Sequence, residues 1–307
     1  MNLSSHENPS GNRGGAFTIV ELMVSIAVLI LLLLLVTQLI NSAASVTTGG
    51  NKRMDADSQA RLVFDRMAVD FSKIVNRTDV DYYLNKTTGN DQMAFYSQAT
   101  GYYPSGLSNS TPKSNVSLVG YRINGDNQLE RLGKGLIWNG VTSSTSGASG
   151  LSSSDMPIVF LPRTLVGTWP NIAGNGSDPD YQVIGEQVFR MELCFLLKSF
   201  TDLGGNSQPA ILSETAWDTR QGHTAADGLA DVSAVVVTIA VLDTTSRNIV
   251  KPAELNTAAA KFADFDGVMA PAKAWQATVD GGDLGLPQAA ASQVRIYQRY
   301  FYLNPIQ

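Results

Sequence analysis

From Leu22 to Ile40 the chain is almost wholly apolar, and no proline occurs between Pro9 and Pro104. At ~1.5 Å of rise per residue such a run reaches about 29 Å as a helix, close to the thickness of a bilayer's hydrocarbon core. The segment therefore reads as a membrane span. Glu21 stands at its start. A carboxylate costs ~2.5–3.5 kcal/mol at the centre of a span and less near its end, so an acid here calls for a partner. The competing reading is a secretory signal peptide with an accidental Glu. Its apolar core would be shorter and would end in small residues, whereas this run passes on into Thr37-Gln38-Leu39-Ile40.

With no proline to stop it, the helix is expected to continue beyond the span. Gly49-Gly50 is its weak point, since each glycine costs ~1 kcal/mol in a helix interior. Beyond it, Ala60, Val63, Phe64, Met67, Phe71 and Ile74 recur at three- and four-residue steps, opposite Arg61, Asp65, Arg66, Asp70 and Lys73. That is an amphipathic helix whose stripe lies on its own domain's sheet or faces a partner helix, with sheet packing favoured for Phe64 to Ile74.

After Asp79 the pattern changes to strands and loops. Val119, Tyr121 and Ile123 alternate with Leu118, Gly120 and Arg122, and Asn124-Gly125-Asp126-Asn127 reads as a hairpin turn returning through Leu129 and Leu132. Phe189, Met191, Leu193 and Phe195 alternate with Arg190, Glu192 and Cys194, which predicts a half-buried strand. Val235, Val237, Ile239 and Val241 form a similar face, with Ala234, Thr238 and Ala240 behind, and Val294 to Leu303 reads as a final strand. Pro252 to Ala263 reads as a short helix with Pro252 in its first turn. Residues 105–117 and 142–154, rich in Ser, Thr, Asn and Gly, read as polar loops.

The motif Ala16-Phe17-Thr18-Ile19-Val20-Glu21, followed by the apolar helix, resembles the leader of type IV pilins and type II secretion pseudopilins. The resemblance implies an α+β, type IV pilin-like fold, in which a long N-terminal helix packs on a large antiparallel β-rich domain. It divides the chain into a prepilin leader (1–16), a transmembrane helix (17–48), an amphipathic continuation (49–78) and an exported β-rich domain (79–307). It implies that a prepilin peptidase cuts between Ala16 and Phe17 and methylates the new amine. Glu21, the fifth mature residue, would then pair with a neighbouring subunit's N-terminal amine. The family's usual Gly before the cut is replaced by Ala16, a residue still small enough for a tight protease subsite. The phrase from Ala60 to Ser72 ahead of a β-rich domain is similar to the J-type minor pseudopilin of type II secretion. The Tyr-rich Asp79-Val80-Asp81-Tyr82-Tyr83 patch and the Arg-aromatic strand from Val294 to Leu303 give a closer resemblance still, to the Verru_Chthon cassette protein C family. The implied role is a minor pilin or pseudopilin, a non-catalytic filament subunit of the bacterial inner membrane. Its C-terminal domain would lie in the periplasm or on a surface filament, and its partners would be other pilin subunits and the prepilin peptidase. The cytoplasmic N-terminus rests on the resemblance, because Arg13 on one side and Lys52, Arg53 and Arg61 on the other do not favour it.

Two other classes stay open: an adhesive tip subunit that binds a surface or glycan, and a membrane-anchored exported enzyme. The chemistry visible in the sequence gives the enzyme little support. The histidines are His6 and His223, with no Gly-x-Ser-x-Gly elbow. Cys194 is the single cysteine and sits in a strand, where a buried inert thiol is expected. One cysteine and one usable histidine do not make a zinc site. Asp264-Phe265-Asp266-Gly267, Asp280-Gly281-Gly282-Asp283 and Asp178-Pro179-Asp180 could offer oxygens to calcium, but none completes an EF-hand loop, so no cofactor is expected. A net charge of −5 argues against nucleic acid as a partner.

Overall fold

The computed structural model describes residues 18–78, 80–86, 89–102, 113–137, 178–225 and 228–305. The chain divides into two compact units, residues 1–51 and 52–307.

In the first unit the described residues form the N-terminal part of helix α1, which runs as one helix from Ile19 to Ser72. Gly49 and Gly50 are helical, so the expected weak point does not break it. From Ile19 to Thr48 every residue is exposed. The hydroxyls within it turn back on their own helix. Ser25 donates to the Glu21 carbonyl (2.7 Å) and Thr37 to the Leu33 carbonyl (2.8 Å). Thr47 and Thr48 donate to the carbonyls of Ala43 and Ala44. In hydrocarbon, where water is absent, that is how such groups are satisfied. Among the described residues α1 is the one helix long and apolar enough to cross a membrane.

The second unit is built around the rest of α1. A five-stranded antiparallel sheet has the order β1 (Tyr83–Asn85), β2 (Gln92–Ser97), β3 (Lys113–Ile123), β4 (Leu129–Ile137) and β5 (Tyr181–Gly185). A four-stranded antiparallel sheet contains β6 (Val188–Leu197), β9 (Leu212–Ser213), β10 (Val232–Val241) and β11 (Arg295–Tyr302) in the order β11-β10-β6-β9. A two-stranded ribbon pairs β7 (Phe200–Thr201) with β8 (Ser207–Gln208). Between β10 and β11 lie α2 (Thr244–Arg247), α3 (Pro252–Lys261), α4 (Pro271–Gly281) and α5 (Gln288–Ala291).

The predicted stripe is the meeting line of both sheets. Ala60, Val63, Phe64, Met67, Phe71 and Ile74 are buried in one cluster with Phe95, Val119 and Tyr121 of the first sheet and Leu193, Phe195, Val237 and Phe301 of the second. Phe71 shows why the contact is specific. Its ring stacks at 4.9 Å on Phe95 and at 5.0 Å on Phe301, so one side chain joins the two sheets. The long helix is therefore packed against a large antiparallel β-rich domain.

Four expectations are corrected. The helix ends at Ser72 rather than at residue 78. Its last turn is taken over by other partners: Val75 N–H bonds the Tyr96 carbonyl (2.9 Å), Gln98 N–H bonds the Lys73 carbonyl (2.8 Å), and Asn304 caps the Ser72 carbonyl (2.8 Å). Asp70, expected on the polar face, is 0% exposed. The strand at Phe189–Phe195 is buried on both faces rather than one, because α3, α4 and α5 cover the second sheet's outer side. Phe189 also leaves the face of Met191 and Leu193. A shift in register places Val188 opposite Val241 while Arg190 stays opposite Ala240, and Phe189 packs with Phe262 and Trp275. One extra residue in a strand turns its side chain to the other side. The fourth correction shortens the loop expected at 105–117, since β3 begins at Lys113. The remainder of that loop and all of residues 142–154 lie outside the described residues.

Candidate functional site

The apolar helix begins with Thr18 and Glu21 bonded to each other. Thr18 N–H and Oγ both donate to Glu21 Oε2, at 3.0 and 3.1 Å, and Glu21 N–H donates to Thr18 Oγ at 3.2 Å. This is a reciprocal capping box. It satisfies amide groups that the first turn of any helix leaves without partners, and it puts a carboxylate at the positive end of the helix dipole. Glu21 therefore has a local partner within its own chain. The sequence carried the signal as Thr-x-x-Glu ahead of an apolar run, and the expectation of an intersubunit partner passed over it. Ala16 and Phe17, the expected cleavage pair, lie outside the described residues, as does the 1–16 leader.

In the second unit, the exposed side of α1 is fastened by acids. Asp55 accepts from Thr244 N–H (2.8 Å), Asp57 accepts from the Tyr297 hydroxyl, and Asp65 pairs with Arg299 (2.8 Å). Deeper in, Asp70 holds the Arg131 guanidinium as a fork, Oδ2 to Nε at 2.6 Å and Oδ1 to Nη2 at 2.9 Å, and accepts from the Tyr121 hydroxyl. Burial first, then the Asp70 charge, holds the Tyr121 hydroxyl well above its ordinary value, so it remains a donor. Arg66, one turn before Asp70, also reaches it at 3.3 Å, but Tyr121 and Arg131 are 51 and 61 residues away and nothing near Asp70 in the sequence points to them.

A second buried group joins the two sheets. Lys86 reaches Glu192 at 2.6 Å, Asp91 at 2.8 Å and the Leu193 carbonyl at 2.7 Å. Arg190 bonds Glu192 at 3.0 Å and Asp264 at 2.5 Å. Burial, then the neighbouring Glu192 charge, pushes the Asp91 carboxyl up to about 6. Burial opposes the Lys86 charge, but Asp91 and Glu192 outweigh it and raise its value, so Lys86 stays an ammonium.

The remaining candidates fall into structural places. Cys194 is buried, and burial pushes its thiol up to about 12, which leaves little thiolate at neutral pH. His223 Nδ1 lies 2.6 Å from Asp231, so it is a paired rather than a merely solvated loop residue. The acids considered for calcium have protein partners. Asp178 and Asp180 hold Lys134 at 2.8 and 3.0 Å, Asp264 holds Arg190, Asp266 accepts from Val268 N–H, Asp280 from Gln276 and Asp283 from Lys261. Among the described residues no three such groups converge on a metal position.

A long N-terminal helix with an apolar first half and a sheet-packed second half, followed by an antiparallel β-rich domain, decides the architecture. This architecture is consistent with a type IV pilin-like fold. The chain is 32% identical over 126 residues to a type II secretion system protein J from Klebsiella pneumoniae. The match covers 39% of this chain and spans 62% of that relative's length. Among solved structures, a type IV-like pilin from Thermus thermophilus aligns over 82% of this chain and 94% of its own, at 11% identity and a TM-score of 0.29. No protein-family model matches the chain.

Proposed function

We propose that this chain is a minor pilin or pseudopilin, a non-catalytic structural subunit of a type IV pilus-like or type II secretion-like filament. The observation that carries the reading is the apolar helix opened by Thr18 and Glu21, joined to a stripe that packs on two antiparallel sheets. The stretch of similarity to a protein J adds to it and favours the J-type assignment over the Verru_Chthon one. On this reading the leader is cut between Ala16 and Phe17, the Phe17 amine is methylated, the apolar helix sits in the inner membrane, and the β-rich domain is exported. Its partners are other pilin subunits and the prepilin peptidase. A buried thiol held protonated at Cys194 fits a subunit without catalysis.

Glu21 then serves two partners in turn: Thr18 in the free subunit, and a neighbour's N-terminal amine in the filament. The test separates the two. Glu21→Gln keeps the capping box, since Gln reaches back to the cap as Glu does, but removes the charge. Co-purification of native-membrane protein with other pilins should fall with both Glu21→Gln and Glu21→Ala. Full assembly of the Gln variant, with loss only in Thr18→Ala and Glu21→Ala, would make Glu21 a helix cap and nothing more. Mass analysis of the native protein should find Phe17 first and methylated. A retained leader in its native host would remove the pilin reading altogether.

A further inference from the structure

Strand β11 lies at an open edge of the four-stranded sheet, with β10 as its strand neighbour. One bond fixes which way its backbone groups point. Leu303 N–H donates to the carbonyl of Ser233, the residue opposite it in the β10–β11 register. Directly bonded pairs recur at every second residue of an antiparallel ladder. Arg295, Tyr297, Arg299 and Phe301 therefore bond to β10, and Ile296, Gln298, Tyr300 and Tyr302 turn their N–H and C=O groups outward. Among the described residues these four have no backbone partner on that side. Such edges are usually kept short, or are interrupted by Lys, Pro or a bulge, because they pair readily with another chain. The other sheet edges follow that rule: β9 has two residues, β1 three and β5 five. β11 has eight, pairs with β10 without a shift in register, and contains neither Pro nor Lys.

The side chains along the edge narrow what it pairs with. Tyr300 and Tyr302 are 38% and 67% exposed and alternate with the buried Phe301, so they stand on the sheet's outer face. They offer an aromatic surface to a β-branched or aromatic cross-strand neighbour. Arg295 and Arg299 share the opposite face, toward α1. Arg299 is answered by Asp65 at 2.8 Å. Arg295 gives Nη1 to the carbonyls of Ser292 and Val294, at 3.2 and 3.0 Å, and has no carboxylate in ion-pair range among the described residues. β11 itself holds no acid. A second copy of β11 would bring two more arginines and no acid to the edge, so charge disfavours self-pairing. A strand that carries a carboxylate opposite Arg295 has the complementary charge. We propose that β11 accepts an antiparallel strand from a partner protein as a fifth strand of its sheet, with an acidic side chain against Arg295 and an apolar one beside Tyr300 and Tyr302. Backbone bonds to Ile296, Gln298, Tyr300 and Tyr302 supply the pairing, and the side chains supply its selectivity. The proposal rests on the open edge and stands whether or not the partner is a filament subunit.

The test uses the full chain in lipid nanodiscs. In the free protein, hydrogen exchange should be fast at the amides of Ile296, Gln298, Tyr300 and Tyr302 and slow at the alternate ones. Slow exchange at all of them would mean that the edge is already covered, which overturns the proposal. The probe is a disulfide-closed hairpin peptide whose free strand alternates Thr and Val and carries one Glu set to face Arg295, titrated by fluorescence anisotropy. It should bind saturably, and the same peptide with Lys for Glu should bind ~3- to 10-fold more weakly. Arg295→Glu should reverse that preference. Tyr300→Pro removes an outward N–H and leaves the bonds to β10 in place, because proline is tolerated on the open side of an edge strand. It should weaken binding at least ~10-fold, whereas Tyr300→Phe should bind as the parent does. The Arg295→Glu comparison decides the matter even if the proline variant fails to fold. The proposal is wrong if neither peptide binds or if the Glu and Lys peptides bind the parent equally. It is also wrong if the parent forms concentration-dependent dimers that Tyr300→Pro abolishes, since the occupant would then be a second copy.

Discussion

From Ile19 to Ile40 helix α1 carries apolar side chains on nearly every side, and up to Asn51 it buries none, whereas from Lys52 to Ser72 it gathers them in one stripe and buries it between two sheets. The hydroxyls of the first half bond back to their own helix. The acids of the second half reach outward to Thr244, Tyr297, Arg299 and Arg131. The difference follows from what surrounds each half. Hydrocarbon is apolar in every direction and offers no hydrogen-bond partner, so a span needs neither a stripe nor outward polar groups. A protein core lies on one side only and must be matched in shape and charge.

Arg131→Ala is the most severe way to break that contrast. It leaves the buried Asp70 charge to Arg66, at 3.3 Å, and the Tyr121 hydroxyl, without its fork partner, and should destabilise the domain by ~3–5 kcal/mol in urea denaturation. Phe71→Ala should cost a similar ~3–5 kcal/mol, because the ring is 1% exposed and holds both sheets. Leu62→Ala, on the exposed side of the same helix, should change stability by less than ~0.5 kcal/mol. Equal effects at Phe71 and Leu62 would mean that the stripe is a subunit contact and not the domain's core.

Asp91 sharpens the comparison through pH. Its carboxyl is raised to about 6 in the folded protein, against ~3.9 for an unfolded Asp. The folded state therefore holds the proton more tightly between these values. The associated stabilisation is complete below pH ~4 and is lost as pH rises through about 6, with a slope of at most ~1.4 kcal/mol per pH unit. Asp91→Asn should flatten the fall in stability expected between pH ~4.5 and ~7. A parent protein that becomes more stable over that range would contradict this account of the buried cluster.

The smallest expected effect is at the seam between the halves. A Cβ at Gly50 would meet nothing within 4 Å, so Gly50→Ala should stabilise the helix locally by ~1 kcal/mol. Slower hydrogen exchange at the flanking amides would record it. Faster exchange would show that the seam is not helical in the membrane-bound protein.

The sequence by itself determined the features that depend on neighbours in the chain. The apolar run, the stripe from Ala60 to Ile74, the β3–β4 hairpin, the face of β10, the final strand β11 and α3 all follow from periodicity, turn residues and a first-turn proline, and the Thr18–Glu21 cap, though passed over, is written in the same local way. These operate within a few residues, where backbone geometry fixes which side chains share a face. Helix α4 was missed although Pro271 and Gly282 bracket it, because its apolar pattern is short and lies among loop-like residues. The tertiary structure alone decided that Asp70 is buried, that Phe189 turns to the other face of β6, and that Glu192 and Arg190 are interior. Asp70 has Arg66 four residues away and Arg190 has Glu192 two away, but the Arg131, Lys86 and Asp264 that complete their burial lie tens of residues or more off in the chain. A lone Asp or Arg carries no local mark of the partner that makes its burial tolerable, so a charge on a helix reads as solvent-facing until the fold brings its counter-charge to it.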